Sequence, residues 1–145
     1  MLEKTVTLLL ILPLALAGLT ANVVVHETAH YATAEFFGYD SELYFNSTLI
    51  KNYGFLLNVE EIAHTSFRAE TISANREILI AVAGPIANLI VALLALAGYY
   101  RAKHSSNISQ LFFLAFFLTG IVAFVSNLLP YEFSDGAAIL DLFAK

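Results

Sequence analysis

The sequence predicts an α-helical integral membrane protein: three transmembrane helices, with a small membrane-surface β-hairpin between the first and second. Three observations lead there. Hydrophobic residues make up 59% of the chain and charged residues 13%, against roughly 45–50% and about 25% in an ordinary soluble domain. The apolar residues fall in blocks: residues 5–26, 78–100 and 105–131 contain no Asp, Glu, Lys or Arg. Each block is long enough to cross a hydrocarbon core of roughly 30 Å as a helix of about 20 residues. Between the first two blocks, short runs rich in β-formers replace the long apolar texture. A soluble three-helix core would need polar surface that this chain lacks.

The first span is expected over residues 5–37, about 50 Å at 1.5 Å per residue, with Pro13 and Gly18 as bend points. Lys4, the apolar run and Ala15-Leu16-Ala17-Gly18 also resemble a signal peptide. The apolar sequence continues past Gly18 through Val23-Val24-Val25, which favours an uncleaved span. Gly38 is a helix stop. Residues 41–45 and 54–59 read as the strands of a hairpin over 41–59, with Lys51-Asn52-Tyr53-Gly54 as its turn. Residues 60–77 are polar and read as loop and short helix. The second span is expected over 78–100, with Gly84-Pro85 inside it, and the third over 109–130, closed by Pro130. Residues 137–145 form a short tail, helical on the membrane surface. At 145 residues the whole chain, 1–145, is one domain.

The net charge of -5 carries no basic cluster, so no nucleic-acid partner is expected. The absence of cysteine excludes disulfides, thiolate metal sites and a cysteine nucleophile.

His26-Glu27-Thr28-Ala29-His30 fits H-E-x-x-H. On a helix, positions four apart differ by about 40° in direction and one turn in height, so both imidazoles can reach one metal ion. Glu27 lies beside them and can reach a water on that ion. Zn2+ suits two neutral imidazoles and one carboxylate, with water in the fourth position. The alternative is two ordinary polar residues near a helix end. The three preceding valines weigh against it, because ionisable groups at membrane depth are costly and usually functional.

The third ligand is less direct. Glu35 is nine residues from His26 and so about 180° around the helix. Glu60, Glu61, Glu70 and His64 lie in the polar stretch and stay possible. Asp135 is favoured by topology. Spans one and three run in the same direction, so their C-terminal ends share a membrane face. The histidines stand at one of these ends and Asp135 just beyond the other.

With these residues in place, the chain resembles the site-2 protease family of intramembrane zinc metalloproteases. H-E-x-x-H sits late in the first span. Asn127-Leu128-Leu129-Pro130, four residues, then Asp135-Gly136 repeats the family's N-x-x-P and D-G spacing, and Ala83-Gly84-Pro85-Ile86-Ala87-Asn88 is similar to its A-G-P-x-x-N. The resemblance implies that His26, His30 and Asp135 are the zinc ligands and Glu27 the catalytic base and acid. It also implies that Asn127 helps to hold the substrate backbone and that the β-element pairs with an extended substrate. Two departures stand out: Tyr131-Glu132-Phe133-Ser134 lacks the family's second proline, and Ala137 replaces a second glycine. The short 101–110 connection leaves no room for a PDZ domain, so a minimal three-span form is expected.

The function implied is zinc-dependent intramembrane endopeptidase activity on transmembrane or membrane-proximal protein substrates, from a multi-pass protein in the lipid bilayer. The rivals are an inactive membrane binding protein that keeps the fold, a divalent-metal transporter, and a zinc protease whose third ligand is a loop glutamate. A transporter would spread its ligands along the membrane depth, whereas these cluster at one end. Lys4, Arg101 and Lys103 balance Lys51, Arg68, Arg76 and Lys145 across the membrane, so charge does not set the orientation. The family likeness places the active site near the cytoplasmic face. Nothing in the sequence sets an oligomeric state.

Overall fold

The computed structural model describes residues 2–45, 63–68, 72–132 and 134–144. Its elements run α1 (Leu2–Phe36), β1 (Asp40–Phe45), β2 (Ala63–Arg68), α2 (Ala74–Arg101), a 3-10 turn (Ala102–His104), α3 (Asn107–Leu128) and α4 (Asp135–Phe143). Three helices are long and apolar enough to cross a membrane: Leu9–Phe36, Ala74–Arg101 and Asn107–Leu128. A two-stranded antiparallel sheet lies between the first and second.

The packing inverts that of a soluble protein. Large apolar side chains face outward: Leu12, Ile90, Leu94, Leu118 and Val122 are all exposed. The interior holds small and polar residues instead, with Gly84, Pro85, Asn88, Ala92 and Ala95 buried on α2. Lipid tails are as apolar as leucine, so burying leucine between helices gains little there. Close approach of small residues and interhelical hydrogen bonds hold such bundles together. Gly18 on α1 and Gly120 on α3 mark two such approaches. A Cβ at Gly18 would stand 2.6 Å from Thr119 Oγ1, and one at Gly120 3.0 Å from the Ala92 Cβ. Beside the first of these, Asn22 is 1% exposed. Its Nδ2 donates to the Gly18 carbonyl at 2.8 Å and to Thr119 Oγ1 at 3.2 Å, tying α1 to α3 inside the bundle.

Helix α1 stops where Gly38 takes φ +79°, a left-handed conformation that glycine adopts without a Cβ penalty. Gly38 N–H donates to the Glu35 carbonyl at 2.9 Å and Tyr39 N–H to that of Ala34 at 3.1 Å, which closes a Schellman motif. The chain then turns directly into β1. Ser41 N and Oγ both donate to Glu35 Oε1, at 3.2 and 2.6 Å. Glu35 thus points away from the histidines, as its helical angle requires, and anchors the sheet.

The partner of β1 differs from expectation. Asp40 pairs with Arg68 and the register runs through to Phe45 with Ala63, so the second strand is 63–68, within the stretch read as loop and short helix. The expected turn at 51–54 and strand at 54–59 lie outside the described residues. The 63–68 strand is hard to recognise because one face is wet. His64, Ser66 and Arg68 are exposed while Thr65 between them is half-buried, and that alternation reads as polarity when taken residue by residue. Between α2 and α3 stand a single 3-10 turn and two serines, with no domain inserted. Ser106 caps α3, its hydroxyl accepting from Ser109 N–H at 3.1 Å.

Candidate functional site

His26 and His30 lie one turn apart on α1 and face into the bundle, 7% and 8% exposed. Their Nε2 atoms are 3.0 Å apart. Asp135 opens α4 beyond the end of α3 and reaches both: Oδ2 is 3.1 Å from His26 Nε2 and Oδ1 is 3.3 Å from His30 Nε2. The structure therefore brings together the three residues that the sequence put forward as ligands. Ligand atoms from all three lie within 4.8 Å of one another. Asp135 arrives there because α1 and α3 run in parallel and end on the same side.

The loop before Asp135 is shaped by Ser134, not by a second proline. Its hydroxyl accepts from Ala137 N–H at 3.1 Å, capping α4, and lies 2.6 Å from the Leu129 carbonyl, to which it donates. It also accepts from Tyr131 N–H at 3.2 Å. One buried hydroxyl thus fixes both ends of the 129–134 turn. A short polar side chain that satisfies an orphan helix donor is the usual N-cap.

The outer nitrogens of the histidines are engaged too. His30 Nδ1–H donates to the Ile80 carbonyl at 2.7 Å. A carbonyl can only accept, so in neutral His30 the Nε2 carries the lone pair. His26 Nδ1 lies 3.0 Å from the Asn88 amide, which is 1% exposed. The Asn88 Nδ2 faces the ring and donates to His26 Nδ1. His26 Nε2, His30 Nε2 and the Asp135 carboxylate converge, and Asp135 Oδ2 meets no donor in hydrogen-bond geometry. Two imidazole nitrogens and a carboxylate at these spacings are a donor set that a cation can hold together. A tetrahedral ion bound at about 2.0–2.1 Å sets its ligands about 3.3–3.4 Å apart, close to the spacings seen. The donor set fits a small divalent metal ion. Burial alone would push the Asp135 carboxyl up, but the two imidazoles, 3.1 and 3.3 Å away, outweigh it and hold the group below the ordinary carboxylate range.

Gly84 makes room for the site. A Cβ there would collide with His30 Nε2 and lie 2.6 Å from His26 Cε1. About 60° around α1 from His30 and 100° from His26, Glu27 is half-buried and its carboxylate meets the sheet. Thr65 Oγ1 lies 2.9 Å from the Glu27 carbonyl and 3.1 Å from its Oε2. Glu27 is not one of the three converging ligands.

Residues 14–104, more than half of the chain, match peptidase family M50. The chain belongs to peptidase family M50, the site-2 protease family. Among curated proteins and solved structures, none matches it. The family match takes in His26, Glu27, His30 and the Gly84–Asn88 run but ends before Asn127 and Asp135, so the case for Asp135 rests on geometry and that for Asn127 on the motif resemblance. Membership and the three spans make this an integral membrane protein of a peptidase family.

The other candidates divide. Asn127 is half-buried near the end of α3 and its Nδ2 donates back to the Ala123 carbonyl at 2.9 Å. His64 is exposed and stacks on Tyr44, ring centroids 4.9 Å apart, away from the ligand cluster. Glu60, Glu61 and Glu70 lie outside the described residues. Sequence reasoning gave no role to Asn22, Thr65, Asn88 or Ser134. Asn22 and Asn88 had a signal: each is an amide within a charge-free apolar block, where an unpaired polar group is expensive. Thr65 had none, because its importance depends on a strand pairing that the local sequence hides.

Proposed function

We propose that this chain is a zinc-dependent intramembrane endopeptidase that hydrolyses peptide bonds of membrane-embedded or membrane-proximal proteins. The observation that carries it is the convergence of His26 Nε2, His30 Nε2 and Asp135 on one point, with Glu27 next in sequence to the first of them. In this reading His26, His30 and Asp135 hold the zinc. Bound there, zinc would supply Lewis acidity that polarises the scissile carbonyl and lowers the pKa of water to about 7.

The chain's own residues do the rest. Glu27 accepts the proton of the attacking water and delivers it to the leaving amine. Asn88 and the Ile80 carbonyl fix the ring orientations of His26 and His30, as partners of ligating histidines usually do. The bundle's outward leucines and isoleucines exclude lipid from the polar interior. A helical substrate hides its carbonyls in internal hydrogen bonds, so it must unwind locally. An extended segment can add as a strand to the edge of the β1–β2 sheet, with Asn127 holding its backbone from α3. The family likeness favours an active site near the cytoplasmic face.

The test is proteolysis of unfolded casein by the detergent-purified chain, with and without chelator, beside Glu27→Gln. Zinc-restored cleavage should be present in the wild type. It should fall by about 10²–10⁴-fold in the variant, the usual contribution of a positioned acid–base group, while bound zinc stays at about one per chain. Cleavage that ignores chelator, or full turnover by Glu27→Gln, refutes the assignment.

A further inference from the structure

The Glu27 carboxylate must present one oxygen to water while its rotamer stays fixed. The structure shows what would fix it. Thr65 sits in the middle of β2, paired with Leu43 of β1, and its inward face puts Oγ1 3.1 Å from Glu27 Oε2. The sheet is itself held on α1 a second time, through Ser41 and Glu35 Oε1. The two anchors lie eight residues apart on α1, about 12 Å of helix. The strand is therefore clamped along the helix and not hung from one point. The Thr65 hydroxyl also lies 2.9 Å from the Glu27 carbonyl. Its single proton is shared between that carbonyl and Oε2, and a carboxylate held by a hydrogen bond loses rotamer freedom.

We propose that Thr65 is a positioning residue for the general base: its hydroxyl holds Oε2 and leaves Oε1 turned to the water whose proton it takes. This deepens the peptidase reading and rests on it. The chemistry asks for a hydroxyl at this point. Oε2 needs a neutral donor, because a cation would form an ion pair with the carboxylate and lower its basicity, and an apolar group would leave it free to rotate. Valine has nearly the shape of threonine without the donor, and serine has the donor without the methyl group. The pair separates hydrogen bonding from packing.

The experiment measures kcat, KM and bound zinc for casein cleavage by the full chain in detergent, for wild type, Thr65→Val, Thr65→Ser and Glu27→Gln. Thr65→Val should lower kcat by about 10- to 100-fold, the range in which small misplacements of catalytic groups fall, with KM and zinc content unchanged. Thr65→Ser should recover most of the loss. Equal loss in both variants, a change confined to KM, or a normal Thr65→Val overturns the proposal. If Glu27→Gln cleaves normally, the base assignment itself is wrong and the role of Thr65 falls with it. If Glu27→Gln is dead and Thr65→Val normal, only Thr65 is misassigned. Thermal unfolding of the chelator-treated chain gives a readout without turnover. The Tm losses of Thr65→Val and Glu27→Ala should combine to less than their sum, by about 2–4 °C. Strict additivity would show that the hydroxyl and the carboxylate do not interact.

Discussion

Replacing Gly84 with alanine sets two effects of opposite sign against each other. Glycine inside a helix is worth roughly 0.5–1 kcal/mol less than alanine, so on propensity alone the change should stabilise α2. The added Cβ, however, would collide with His30 Nε2 and stand 2.6 Å from His26 Cε1 and 2.7 Å from its Nδ1. Ordinary carbon contacts begin at about 3.5 Å, so the rings must retreat by roughly 0.8–0.9 Å. They have little room for it. His30 is pinned to the Ile80 carbonyl and His26 to Asn88, and both rings are buried. Overpacking of this kind costs about 1–3 kcal/mol, which exceeds the helix gain. The displaced atom on His30 is the nitrogen that faces the other two ligands, so the loss falls on metal binding first. Gly84→Ala should weaken zinc by about 10- to 100-fold, the range seen when partners of ligating residues are disturbed. Competition against a chromophoric chelator measures this directly. Wild-type zinc affinity in Gly84→Ala would refute the packing of α2 against the histidines.

Two further outcomes follow from the ligand geometry. Asp135→Ala should lose most bound zinc by metal analysis, since two imidazoles alone hold it poorly, while Glu60→Ala, Glu61→Ala and Glu70→Ala keep it; the reverse pattern would move the third ligand to the segment between α1 and α2. The Asp135 carboxyl is depressed, so in the metal-free chain the stability it contributes is present above the ordinary carboxylate pKa of about 3.9. That stability is lost as pH falls through the lower folded value. Thermal unfolding of chelator-treated protein should show this acid-side decline, and Asp135→Asn should flatten it; identical pH profiles for the two would exclude the contacts to His26 and His30.

The spans and the histidine pair were legible because each is encoded locally. A charge-free run of this length has one economical solution in lipid, and H-E-x-x-H needs only a helix to converge. Asp135 was legible by counting membrane crossings, a long-range inference that works because the bilayer restricts helix direction. The second strand was not. Thr65 is half-buried between exposed His64 and Ser66, too short and too polar a signal to outweigh the loop-like composition around it. Ser134 was hidden for another reason. Here a hydroxyl holds the loop through hydrogen bonds to Leu129, Tyr131 and Ala137, partners that no motif in the sequence marks. Asn88 was visible as a motif letter, but its partner His26 lies 62 positions away.

The arrangement of α1 explains how one helix can serve two tasks that interfere with each other. Metal binding requires a closed, rigid, dry cradle; proton transfer requires access to water and to an extended substrate. Successive helical residues differ by about 100° in direction. His26 and His30 therefore face α2 and α4, where Asn88, Ile80, Gly84 and Asp135 hold and crowd them. Glu27 is turned out of that cradle toward β2, where Thr65 meets it. In the proposed reading, the sheet that receives a substrate strand is thus the element that grips the base. A substrate docked there would have to present its scissile carbonyl within reach of both Glu27 and the His26–His30–Asp135 cluster. Moving the glutamate one place along, to position 28, would turn it to about 160° from both histidines, onto a position that is exposed in this fold. Adjacency to His26 therefore keeps Glu27 within about 100° of both histidines while its carboxylate still meets β2.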